Sequence, residues 1–169
     1  MRLQAILRQR YPRSAIEVVN KGGPRQSAQQ MLQRFERDVI DERPHLVIWE
    51  TGTTDAVRGV DIEDFANTVE TGFNALKQHG LEAMVMNMQY GRGTSTVIPF
   101  DRYVDALNRA ADVAEIYLFR RYEIMRYWSE KGIFNFEDVP HNERAAFAAK
   151  VYDCISRRLA DALAHAVRP

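Results

Sequence analysis

Apolar and polar positions alternate along the chain with two periods, and the switches between them predict strands separated by helices. Leu3, Ile6, Leu7 and Tyr11 form one stripe at helical spacing, so a helix is expected over 2–11, stopped by Pro12. Ala15 to Val19 has the character of a short strand and runs into the turn-rich Asn20-Lys21-Gly22-Gly23-Pro24. Met31, Leu32, Phe35 and Val39 predict a second helix over 26–41. The run Leu46-Val47-Ile48-Trp49 predicts a strand over 45–50 buried on both faces, followed by a loop at Thr51 to Asp55.

Asp61 is a candidate N-cap for a third helix, with Ile62, Phe65, Val69, Phe73 and Leu76 facing inward and Gly80 just past its end. A strand over 82–88, a glycine-bearing loop over 89–99 and a helix over 100–114 come next. A strand over 115–119 and a helix over 122–131 precede an irregular stretch, 132–142. The last helix starts at Glu143 and carries Phe147, Val151, Ile155, Leu159 and Leu163. Strands alternating with helices of this length imply a parallel sheet covered by helices on both faces. Ligands of such sheets bind outside the carboxyl ends of the strands, so the stretches to weigh are 20–27, 51–59, 89–98 and 132–142.

Composition narrows this picture without adding chemistry. The chain has 169 residues, 23 basic against 23 acidic groups and one cysteine. This length suits a single domain of residues 1–169. Zero net charge argues against a dedicated nucleic-acid binder, and no apolar run reaches the roughly 20 residues of a membrane span. A lone Cys154 excludes a disulfide framework and a cysteine zinc site. All but four of the 23 basic residues are arginine, and four of them precede the first acid, Glu17. That start suits the solvated face of a helix better than a targeting peptide, and no secretory signal follows it.

Three of the strand-end stretches carry motifs. Asn20-Lys21-Gly22-Gly23-Pro24-Arg25 follows the first strand and precedes a helix. Trp49-Glu50-Thr51-Gly52-Thr53-Thr54-Asp55 closes the next strand, and Asp138-Val139-Pro140-His141-Asn142 precedes the last helix. In order, spacing and context these resemble the second, third and fourth sequence blocks of the SGNH (GDSL-type) ester hydrolases, over nearly the whole chain. The resemblance implies a three-layer αβα fold with a flavodoxin-like parallel sheet, the SGNH-hydrolase fold. It also implies a serine mechanism with His141 as general base and Asp138 holding its tautomer. Arg25 and Thr54 fall on the family's oxyanion-hole positions, and Asn20, Gly22, Gly52 and Asp55 line the pocket by the same carry-over. No metal or organic cofactor is implied; the partner is a small-molecule ester or acylated carbohydrate. Taken alone, a D-x-x-H pair also fits a helix-start cap with a surface histidine, and His45, His79 and His165 suit surface or packing roles.

The departures are equally specific. No G-D-S turn occurs, and the five serines, Ser14, Ser27, Ser95, Ser129 and Ser156, include none on a sharp strand-to-helix turn near the start. Arg25 stands where the family has glycine and Thr54 where it has asparagine; removal of one oxyanion donor can cost roughly 10²–10³ in rate. Ser27 suits a helix cap better than a nucleophile, and Cys154 an inert thiol. The fold is therefore expected to lack its first strand, with Met1 inside the helix that follows the nucleophile turn. The compartment and any homo-oligomer stay open. Two functions follow: an acyl- or acetyl-ester hydrolase, impaired without its serine block, or a non-catalytic SGNH-like domain binding an anionic or carbohydrate-like ligand. An unrelated flavodoxin-like module lacks support, because no glycine-rich phosphate loop follows a strand.

Overall fold

Three of the four expected strands form, and all run parallel. The computed structural model describes residues 2–166. In it β1 is Leu46–Glu50, β2 is Glu82–Met86 and β3 is Tyr117–Phe119, side by side in that order. Leu46 lies beside Glu82 and Met84 beside Tyr117. The helices are α1 (Arg2–Arg10), α2 (Ala28–Leu32), α3 (Thr53–Arg58), α4 (Ile62–Gln78), α5 (Arg92–Ser95), α6 (Phe100–Val113), α7 (Arg121–Glu130) and α8 (Arg144–Ala166). The described residues divide into two compact units, 21–131 and 2–20 with 132–166.

In the 21–131 unit, Met84, Val85 and Met86 of the central strand are all buried, as a strand covered on both faces requires. On β1, Val47 and Trp49 point into the core and Leu46 and Ile48 to the other face. The Trp49 ring packs edge-on against Phe35 at 4.9 Å and Phe73 at 5.7 Å. Phe65, Val69, Phe73 and Leu76 are the buried stripe of α4, which lies against α2, α6 and β2. Burying each such side chain contributes about 1.5–3 kcal/mol. Asp61 caps α4 as expected, accepting from the N–H groups of Glu63 and Asp64, and Gly80 follows at φ +66°.

The expected helix over 26–41 is instead two pieces. A tight bond from Arg34 N–H to Met31 O closes α2, and Glu36–Ile40 forms a wider π-helical turn. This change of pitch accompanies the seating of Phe35 on Trp49, a tertiary contact that outweighs the continuous local pattern. The loop expected at Thr51 to Asp55 is corrected too, since Thr53 onward is helical. Six residues are too few to display a helical period.

In the other unit α1 packs on α8, with Arg10 donating to Ala160 O at 3.0 Å and to Asp161 at 2.6 Å. The remaining arginines of α1 are exposed, the solvated face that the pattern predicts. Ala15 to Val19, expected as a strand, is irregular and joins no ladder among the described residues. Its Val18 N–H donates instead to the Gln4 side chain at 2.8 Å, and its Ile16 carbonyl accepts from Arg8 at 2.6 Å. A strand is defined by its partner, and apolar alternation alone does not supply one.

Candidate active site at the carboxyl ends of the strands

Within the 21–131 unit, the stretch bearing Arg25 and the helix bearing Thr54 are tied together by two side chains of α3. Both Asp55 carboxylate oxygens lie 3.0 Å from the Ala28 N–H, at the start of α2. Arg58 donates through Nη2 to the Arg25 carbonyl at 3.0 Å and through Nη1 to Gln30 Oε1 at 3.1 Å. Asp55 is 1% exposed, and burial pushes its carboxyl up from the ordinary value. The N–H groups of Ala28, Asp55 and Gly52 and the Arg58 charge oppose that rise. Asp55 is thus a buried clamp under the site.

Arg25 adopts φ +58°, the left-handed region, although it carries a side chain. This conformation costs an L-residue roughly 1–2 kcal/mol and a glycine almost nothing. Thr54, one residue before Asp55, is half-buried in the first turn of α3. Gly52 caps that helix at φ +93°, where a Cβ would stand 2.1 Å from Met88 Cε and 3.2 Å from Phe65 Cζ. Position 52 therefore favours glycine on conformation, and a Cβ there would also have to displace the flexible end of Met88.

Ser27 is a cap, as expected. Its Oγ accepts from the Gln30 N–H at 3.3 Å while Gln30 Oε1 accepts from the Ser27 N–H at 3.1 Å, a reciprocal capping box. Gly22 is exposed in irregular backbone, and Asn20, in the other unit, is exposed as well. His79 closes α4, its Nδ1 2.8 Å from Ala75 O. His45 and His165 are exposed, and Cys154 is half-buried within α8.

Asp138 and His141 lie together in the 2–20 and 132–166 unit. The Asp138 carboxylate accepts from the Asn135 amide, and the Phe136 carbonyl accepts from the Val139 N–H at 3.3 Å, closing the turn around it. His141 opens a 3₁₀ turn, His141–Glu143, and both residues of the pair are exposed. No hydrogen bond or ion pair joins them among the described residues. Phe134 and Phe136 pack edge-on against Phe147 at 5.6 and 4.8 Å, fixing this segment on α8.

One polar cluster at the strand ends was invisible to the sequence. Arg121, 3% exposed, follows β3 and donates through Nε to the carbonyls of Asn87 at 3.1 Å and Met88 at 3.4 Å, just past β2. Its Nη2 is 2.7 Å from Glu50 Oε1, at the end of β1. A single guanidinium therefore links the carboxyl ends of all three strands. Buried Asn87 accepts from the Tyr122 N–H and donates to Glu123, both at 2.8 Å. The Tyr122 hydroxyl donates to Asp101, and burial, reinforced by that carboxylate, pushes it up to about 12. The sequence signal was position alone, polar residues within two places of an apolar strand's end.

Among the described residues no group of three His, Cys, Asp or Glu could hold a metal ion, and no helix is long and apolar enough to cross a membrane. The sequence model of the Non-GDSL lipase-like family matches residues 1–169. No curated protein sequence matches the chain. A structure assigned to the lipolytic proteins of the G-D-S-L family, from Desulfitobacterium hafniense DCB-2, is 26% identical with a TM-score of 0.57. That match covers 69% of this chain but 63% of the other, so the chain spans less than two thirds of that protein's length. The acetyl xylan esterase AlAXEase is 16% identical with a TM-score of 0.74, over 98% of this chain and 88% of that one. A lipase/acylhydrolase from Enterococcus faecalis is 16% identical with a TM-score of 0.68, over 94% and 85%. The three-layer α/β fold with a small parallel sheet is shared with these structures.

Proposed function

The chain belongs to the Non-GDSL lipase-like family, and from that membership we propose that it is an SGNH-type ester-hydrolase domain acting on acyl or acetyl esters. The family resemblance assigns His141 as general base and Asp138 as its orienter, which requires Asp138 to turn from Asn135 to the His141 ring. The same resemblance puts the Arg25 N–H and the Thr54 hydroxyl at the oxyanion positions. Gly52 and Asp55 hold that hole in place, and Asn20 and Gly22 border the pocket. The reading is carried by one observation: Asp55 and Arg58 join the Arg25 stretch to the Thr54 helix, with Arg25 in a glycine-like backbone. The solved acetyl xylan esterase and lipase/acylhydrolase support the bond type, a carboxylic ester.

Residues 1–169 contain no G-D-S serine. Without that serine, the turnover open to these residues is direct hydrolysis, with His141 as the general base that takes a proton from water. Both hole positions are also substituted here, so the polypeptide is a slow catalyst at best. The test is hydrolysis of 4-nitrophenyl acetate by residues 1–169, with a fluorophosphonate probe for reactive serines. The expected result is slow, saturable turnover, lost in His141→Ala, and no labelled serine. Turnover unaffected by His141→Ala removes His141 as the base, and a labelled serine overturns the impairment.

A second reading is a non-catalytic ligand-binding domain of the same fold. The observation favouring it is an arginine at the glycine position, whose exposed side chain narrows room for a tetrahedral intermediate. Ligand binding with no His141-dependent turnover would select it.

A further inference from the structure

We infer that the ligand of this site carries an anionic group, a carboxylate or phosphate, held by Arg25 and Arg58. The inference rests on the Arg25–Thr54 site as read above and specifies its ligand. Thr54 and Arg58 are four residues apart in α3 and so share one helix face. Arg58 reaches from that face to the Arg25 carbonyl at 3.0 Å, which brings its guanidinium to the backbone of Arg25.

Their charges differ from those of neighbouring cations. Lys21 pairs with Glu42 at 2.5 Å, and Arg34 with Asp38 at 3.1 Å. Among the described residues Arg58 bonds only neutral acceptors, the Arg25 carbonyl and Gln30 Oε1. These two bonds orient its guanidinium without a carboxylate partner. The Arg25 side chain makes no hydrogen bond or ion pair among the described residues, and it is exposed. Asp55, the acid whose ionisation Arg58 favours, is buried and bonded to the Ala28 N–H. An oriented guanidinium at the backbone of a second arginine, whose own side chain is unpaired among the described residues, suits the fork of a carboxylate or phosphate. The left-handed backbone of Arg25 points the same way, because glycine would occupy φ +58° with less strain.

Amide NMR titration of the ¹⁵N-labelled polypeptide tests this without any turnover. The probes are D-galacturonate, inorganic phosphate and, as neutral control, D-galactose. One or both anions are expected to shift amides within 25–30 and 52–58, with affinity falling as salt is added, and galactose is not. Whether galacturonate or phosphate binds tighter identifies the anionic group. Arg25→Gly, which relieves strain and so folds, should weaken binding about tenfold, the scale of one charged hydrogen bond. Arg25→Lys should restore part of it. Equal binding of galactose, shifts confined to other regions, or unchanged affinity in Arg25→Gly overturns the inference. If that happens while His141-dependent ester turnover persists, the ester-hydrolase reading stands and only the anion assignment falls.

Discussion

Arg25 concentrates the physical tension of the site in one residue. Its φ of +58° costs roughly 1–2 kcal/mol, and replacement by glycine relieves this at an unfolded-state entropy cost of about 0.4–1 kcal/mol. Arg25→Gly is therefore expected to gain about 0.5–1 kcal/mol of stability in urea denaturation. A loss of stability would mean that the arginine side chain contributes contacts that outweigh the strain. Asp55 makes a prediction with a definite sign. Burial raises its carboxyl above 3.8, so the folded chain holds the proton more tightly than the unfolded chain. Its contribution to stability is fully present below pH 3.8 and is lost as pH rises through the raised value. Asp55→Asn keeps an acceptor for the Ala28 N–H and removes the ionisation. Stability measured against pH should flatten across that window in the variant, and an unaltered slope would show that another group titrates there.

Among the elements, α4 shows how closely the pieces approach. A Cβ on Gly72 would stand 2.5 Å from Trp49 Cζ3, and that ring is hemmed in by Phe35 and Phe73. Gly72→Ala should cost about 1–3 kcal/mol through overpacking, despite alanine's better helix propensity. Thermal unfolding measures it, and a rise in Tm would show that Trp49 can yield. The elements themselves were largely legible. The strands at 46, 82 and 117 and the long helices α4, α6 and α8 stand where apolar spacing, Asp61 and Gly80 place them. What failed was local pattern with a non-local cause: the break before Glu36 that accompanies Phe35 docking, and Ala15 to Val19 without a ladder partner among the described residues. The short α3 failed for the opposite reason, as six residues carry too little pattern to see.

At the scale of the whole molecule, three weak motifs in the right order resembled SGNH hydrolases, and the family match and shared fold bear this out. The parallel sheet converges its strand ends, and Arg121 fastens them together. Arg121→Ala removes a buried cation from three strand ends and should cost about 3 kcal/mol or more in urea denaturation. Glu50→Gln should cost nearer 1 kcal/mol, because the Glu50 side chain is 53% exposed and its charge is partly hydrated already. Equal costs for both would place the energy in the ion pair and not in the carbonyl contacts of Asn87 and Met88.

The three paired strands, the long helices, the family, the Ser27 cap and the absence of a G-D-S serine were legible in the amino-acid sequence, because each depends on neighbours within a few residues or on residue identity alone. The union of Arg25 with Arg58, the burial of Asp55 and the Arg121 link across three strands were decided by the tertiary structure. These depend on which groups meet through space and how much water they lose, and spacing along the chain encodes neither.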